Sequence, residues 1–461
     1  MDYREEQDSL GTVAVQAGAY YGAQSERARQ NSIHSGLQLP AAFIASLAMI
    51  KMVAAEVNAE LGLLDGEIAG AIGDAAREVM AGRMAGEFVV DLFQTGSGTS
   101  TNMNMNEVLA SRANERLTGK IGGRSPVHPN DHVNLGQSSN DVIPTALHVA
   151  ALGGVERALL PQLEILEKAL MQKAAAFGHI VKIGRTHLQD AVPMSLGDEF
   201  SAYARQTALA IRRVGRASAD LREVPLGGTA VGTGLNAHPD FAAAVIGKIN
   251  DREKMQFMEA DSRFEAQGAR DAAVELSGTL KTVAVSMTKI ADDLRWLASG
   301  PRCGLGEIRL PALQPGSSIM PGKVNPVISE VVIQVAAQVV GNDTTITFAG
   351  QKGQFELNTM QPLIAYNLLQ SIDLLGQSAR ILAEKCVNGI EADEERCAAY
   401  MERSLAMVTY LVPLLGYDRA AALSKKAYSG GKSVREVIVA EGIMTSEQFD
   451  GLIKRVADER G

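Results

Sequence analysis

From Gly268 through Trp296 to Leu297 the apolar positions Ala273, Leu276, Leu280, Val283, Met287, Ile290, Leu294 and Leu297 recur at alternating steps of three and four. This is a heptad seam, and at about 1.5 Å per residue it predicts a helix longer than about 35 Å. A second seam runs through Leu152, Val155, Leu159, Leu163, Leu166 and Leu170. Pro161 lies inside it, where a missing N–H and a ring clash predict a kink or a break. A third joins Ile364, Leu368, Ile372, Leu375, Ala379 and Leu382. Several such helices in mid-chain predict a mainly α fold built on a bundle of near-parallel helices. Burying so long a stripe on more than one side needs neighbouring chains, which favours an oligomer over a long bundle within one monomer.

The stretches between helices are rich in Gly, Ser, Thr and Asn: QTGSGTSTNMNMN at 94–106, HPNDHVNLGQSSND at 128–141, LGGTAVGTGLN at 226–236 and PGSSIMPGKVNP at 315–326. No tandem repeat or low-complexity linker marks a boundary. Three regions are expected: a mixed, mostly helical 1–137, a central long-helix bundle 138–390, and a small helical 391–461.

Hydrophobic residues at 46% and charged residues at 21% of 461 are globular proportions. The net charge of -9 argues against nucleic acid or an anionic membrane as the main partner. An acidic protein that binds an anion must therefore concentrate donors locally. Cys303, Cys386 and Cys397 form no CxxC pair, which speaks against a disulfide framework or a zinc site. The start MDYREEQDSLG lacks the apolar core of a secretory signal, and a cytoplasmic protein is expected.

In Gly316–Pro326 two serines, a lysine and an asparagine sit among glycine and proline, reading as a loop that feeds a helix. Asn325 suits an N-cap and Pro326 the first helical position of a helix running through Glu330. Such a loop delivers polar groups beside the positive end of a helix, where anions bind. Gly96 and Gly98 suggest a phosphate loop only superficially, since no Walker lysine follows.

GSSIMPGKVNP is similar to the signature of the fumarase/aspartase superfamily, and QTGSGTSTNMNMNEV, HPNDHVNLGQSSND, KIGRTHLQDA and LGGTAVGTGLN resemble, in order and spacing, the matching pieces of class II fumarases. The resemblance covers nearly the whole chain. It implies a three-region, mostly helical subunit, a homotetramer around a multi-helix core, active sites shared between subunits, a small dicarboxylate substrate, and no metal or organic cofactor. The implied reaction, read from malate, removes a weakly acidic proton beside a carboxylate and gathers charge there as an aci-anion, which preorganised donors must hold. By the resemblance Ser97, Gly98, Thr99, Ser138, Ser139, Asn140, Thr186, Ser318, Lys323 and Asn325 line the substrate site. Ser317 resembles the base for the carbon-bound proton, His187 the partner that handles water, and Glu330 the carboxylate that orients this histidine. His128, Pro129, Asn130 and Asp131 resemble a secondary anion site, although an Asx-type turn explains Asn130 and Asp131 equally well.

The alternative on the same scaffold is aspartate ammonia-lyase. QSSND, GSGT, GRTH and HPND favour the hydratase; PVISEVV, EKCVNGI, GKSVREVIVAEGIMT and Phe93 look more like aspartases or depart from fumarases. A remoter alternative is an inactive, crystallin-like scaffold, against which Ser317, His187 and Lys323 all stand in place.

Overall fold

The computed structural model describes residues 2–458. It is mainly helical, and among the described residues strands occur only as two-stranded pieces. The chain divides into two compact units, each assembled from three stretches. The first holds the residues up to Pro161 with Ile211–Ala284 and Val335–Gln377; the second holds Gln162–Ala210, Val285–Gln334 and the residues from Ser378 onward.

All three seams are helical and buried. The first lies on the helix Asp271–Leu297, and none of its eight seam residues is more than 5% exposed. Leu276 is fully buried there. Leu276→Ala is expected to cost about 2–5 kcal/mol, read from urea unfolding. The third seam lies on Gln361–Ile381 and enters a π-helical turn, Leu382–Cys386. The second runs from Ser139–Gly154 through a π-helical turn, Val155–Leu159, into Leu160–Ala176. Helix therefore continues past Pro161. In place of the expected kink or break, a wide π-helical turn precedes the proline and alters the ladder near its missing N–H.

The first unit is centred on the helix Ala41–Glu60, packed by Gly66–Met80, Ser139–Gly154 and Phe241–Glu253. Its length and hydropathy of 1.5 would suit a membrane span, yet 67% of that window is buried inside the chain. It also carries the buried polar residues Lys51 and Asn58, so it is a core helix.

In the second unit the strands Val181–Thr186 and Gln189–Ser195 form an antiparallel hairpin. The helix Glu394–Arg403 and the turn Leu405–Leu411 pack against it. Beyond them the C-terminal helices close a core of their own around Leu411, Leu423, Val437, Ile438 and Phe449.

Candidate active site

In the first unit two helices begin side by side. Thr99–Thr118 follows Gly98, whose φ of 76° is left-handed, and a Cβ there would meet Ile143 at 2.9 Å. Only glycine fits comfortably. Ser139–Gly154 starts after Ser138, whose hydroxyl accepts the Asn140 N–H at 3.2 Å while Asp141 accepts the Ser138 N–H at 2.9 Å. This is a capping box. The two starts are joined through hydroxyls: Ser97 Oγ lies 2.8 Å from Thr99 Oγ1, which lies 2.7 Å from Ser139 Oγ. The Asn140 amide donates to the Ala230 carbonyl at 2.8 Å, tying in the loop at 226–236. A third helix start docks here through the Gln361 N–H, which donates to the Gly96 carbonyl at 2.9 Å.

Beneath these loops lies a buried polar layer. Asp141 accepts the N–H groups of Gly227 and Thr229 at 3.1 and 2.9 Å, and burial pushes its carboxyl up to about 6 against those bonds and the Lys51 charge. Lys51 is fully buried, which pushes its ammonium down to about 7 against the opposing charge of Asp141. It donates to Asn134 Oδ1 at 2.9 Å, the oxygen that also receives Asn102 and Asn106.

His128 and its neighbours form a histidine-capped turn. Its Nδ1 accepts the N–H groups of both Asn130 and Asp131 at 3.1 Å, opening the π-helical turn Pro129–Val133. The cap is therefore the imidazole, where the residue types had suggested an Asx turn. Burial holds this imidazole below its usual range.

In the second unit the loop at 315–326 closes on itself. Gly316 donates to the Lys323 carbonyl and accepts the Asn325 amide, both at 2.8 Å. Asn325 is thus a strut across the loop and does not cap the helix. The helix begins at Val327, one residue later than expected, with the Pro326 carbonyl accepting the Glu330 N–H. Ser317 Oγ accepts two backbone N–H groups, from Ile319 at 3.2 Å and Met320 at 3.0 Å. Ser318 and Lys323 are exposed, and Glu330 lies in the first helical turn. Lys323, Asn325 and Glu330 line a cleft of about 710 Å³ together with Arg295, Trp296 and Arg309. That volume suits a small organic ligand.

Thr186 and His187 sit at the exposed end of the hairpin. His187 and Leu188 form its two-residue turn with φ of 56° and 59°. Both positions favour glycine or asparagine, and non-glycine residues held there store strain of about 1–3 kcal/mol each. Among the described residues no hydrogen bond or ion pair joins His187 to Glu330 within the chain.

Sequence reasoning passed over the buried groups Lys51, Asp141, Lys182 and Glu307. Asp141 was readable as the N3 partner of a capping box after Ser138. Lys51 stood out only as one cation inside an otherwise apolar run.

Loops that carry hydroxyl, amide and ammonium donors on a mainly helical scaffold offer the kinds of group that a lyase acting beside a carboxylate needs. Residues 11–341 match the family model described as Lyase, and residues 407–455 match that described as Fumarase C C-terminus. The chain is 53% identical to the class II fumarate hydratase of Nitrosomonas europaea over 97% of each chain. It is 51% identical to that of Neisseria meningitidis over 98% of each. The solved structure of a recombinant class II fumarase from Schistosoma mansoni superposes with a TM-score of 0.94, at 41% identity and 98% coverage of both chains. The chain belongs to the class II fumarate hydratase family.

Proposed function

We propose that this chain hydrates fumarate reversibly to (S)-malate through an aci-carboxylate intermediate. The observation that carries the chemistry is the environment of Ser317 Oγ, which already receives two amide N–H groups. A serine hydroxyl is a poor base because its alkoxide is unstable. Two fixed N–H dipoles, with the Lys323 ammonium on the same loop, favour the charged form.

In the dehydrating direction Ser317 takes the carbon-bound proton of malate, and the electron pair moves into the adjacent carboxylate. Ser97, Gly98, Thr99, Ser138, Ser139, Asn140, Thr186, Ser318, Lys323 and Asn325 hold that growing charge with donors placed in advance. His187 protonates the departing hydroxyl, so that the C–O bond breaks and water leaves. Hydration runs the same steps backward. The reaction moves two protons and breaks one C–O bond with no net oxidation, so no redox group is called for.

Ser97, Gly98, Thr99, Ser138, Ser139 and Asn140 lie on one unit of the chain, whereas Thr186, His187, Ser317, Ser318, Lys323 and Asn325 lie on the other. Among the described residues no hydrogen bond or ion pair joins His187 to Glu330, and the signature loop exposes Ile319 to 83% with Met320 and Val324 beside it. These features support a homotetramer in which neighbouring copies complete each site and Glu330 of one copy orients a histidine of another. His128, Pro129, Asn130 and Asp131 are assigned to a secondary anion site: with Nδ1 occupied as acceptor, Nε2 is left as the donor. A cytoplasmic location and the three regions 1–137, 138–390 and 391–461 belong to the same reading.

Purified protein without added metal is expected to consume fumarate and form malate, followed by the ultraviolet absorbance of fumarate. Added ammonium is expected to leave that rate unchanged. Much faster loss of fumarate with ammonium, giving aspartate, would transfer the chain to the ammonia-lyase reaction.

A further inference from the structure

We infer that Glu307 and Arg185 are positioning residues that aim His187. The inference rests on the reading of His187 as the acid/base group. Arg185 stands two residues before His187 on the hairpin strand, and the strand register shifts between Ile183 and Arg185. Such a bulge re-aims the side chains that follow it. The Arg185 guanidinium forms a fork on Glu307, with Nη1 and Nη2 at 2.9 and 2.8 Å from its two carboxylate oxygens. Fork pairing fixes the plane of the guanidinium as well as its distance.

Glu307 is itself immobile. Its carboxylate is fully buried, and the fully buried Lys182 ammonium lies 3.2 Å from it and 2.7 Å from Glu199. Its N–H donates to the Leu297 carbonyl at 2.8 Å, and its carbonyl accepts the Asp393 N–H at 2.9 Å. From the other side Arg185 lies 5.7 Å from the Tyr400 ring centre, and Arg396 lies 5.2 Å from the same ring. The Tyr400 hydroxyl donates to the Gly304 carbonyl at 3.1 Å.

The strand end before His187 is therefore clamped by a carboxylate, a second cation and an aromatic ring. A buried ion network of this kind adds little stability over apolar packing of the same shape; its best-attested use is to fix register. Register matters here because the turn that follows is two residues long, with His187 and Leu188 both left-handed. A slip of Arg185 would pass through the backbone into the turn that carries the imidazole.

Glu307→Gln leaves Lys182 and Arg185 with less counter-charge and threatens folding, so Arg185→Lys carries the test: it keeps the charge and removes the fork. The expected result is a kcat lower by about 10²-fold, as a small misplacement of a reacting group costs. KM and the melting temperature should stay near those of the unaltered enzyme. In a His187→Asn background Arg185→Lys should cost nothing further, since the group it aims is gone. Wild-type kcat in Arg185→Lys, or an equal loss with and without His187, overturns the positioning role alone. A fully active His187→Asn single variant removes the underlying reading as well.

Discussion

Ser317→Ala and His187→Asn, made separately, are each expected to lower kcat for malate formation by about 10²–10⁴-fold, the range carried by one acid/base group. The hydrodynamic size and the melting temperature should not change. Ser317 is half-buried in a loop held by its backbone: Gly316 pairs with Lys323 and Asn325, and the Ser317 side chain only receives N–H groups from Ile319 and Met320. Alanine removes the oxygen and keeps the loop. His187 is exposed on the hairpin turn, and asparagine tolerates its left-handed φ of 56° better than most residues. Loss of turnover with an unchanged size and stability therefore reports chemistry. Near-normal rates in both variants would remove the acid/base assignment.

Gly96→Ala is expected to destabilise the first unit by about 3 kcal/mol or more, read as a fall in melting temperature and in soluble yield. An added Cβ would sit 1.5 Å from the Thr359 carbonyl oxygen, which is backbone and has no rotamer to adopt. The clash would also separate the Gly96 carbonyl from the Gln361 N–H and so loosen the start of Gln361–Ile381. Because Ser97 and Thr99 follow immediately, the surviving protein should bind dicarboxylate more weakly. Wild-type stability would mean that the loop does not approach Thr359 as described.

Long helices were legible because a heptad repeat over many turns has no competing interpretation, and the residues named on the three seams are buried. Local capping was less so. Asn325 before proline has the composition of a helix start, yet its amide is drawn across the loop to Gly316, a partner nine residues back that no helix-start pattern specifies. The chemistry-bearing loops could be identified by resemblance to a known family, whereas composition alone left Ser317 as turn chemistry and His187 as a lone histidine. Buried charges were the least legible. Arg185 and Glu307 are 122 residues apart, and Lys51 and Asn134 are 83 apart, so their pairing exists only after the chain has folded.

The docking of Gln361 on Gly96 has a consequence for how the protein is made. A ribosome that has just completed the QTGSGT segment needs about 10–50 s more, at ordinary elongation rates, before the helix start that seals it emerges. Throughout that interval the nascent chain carries an unfinished binding loop and apolar helices without their mates. The loop that carries Ser97 and Thr99 therefore reaches its final form only after more than three quarters of the chain has been made.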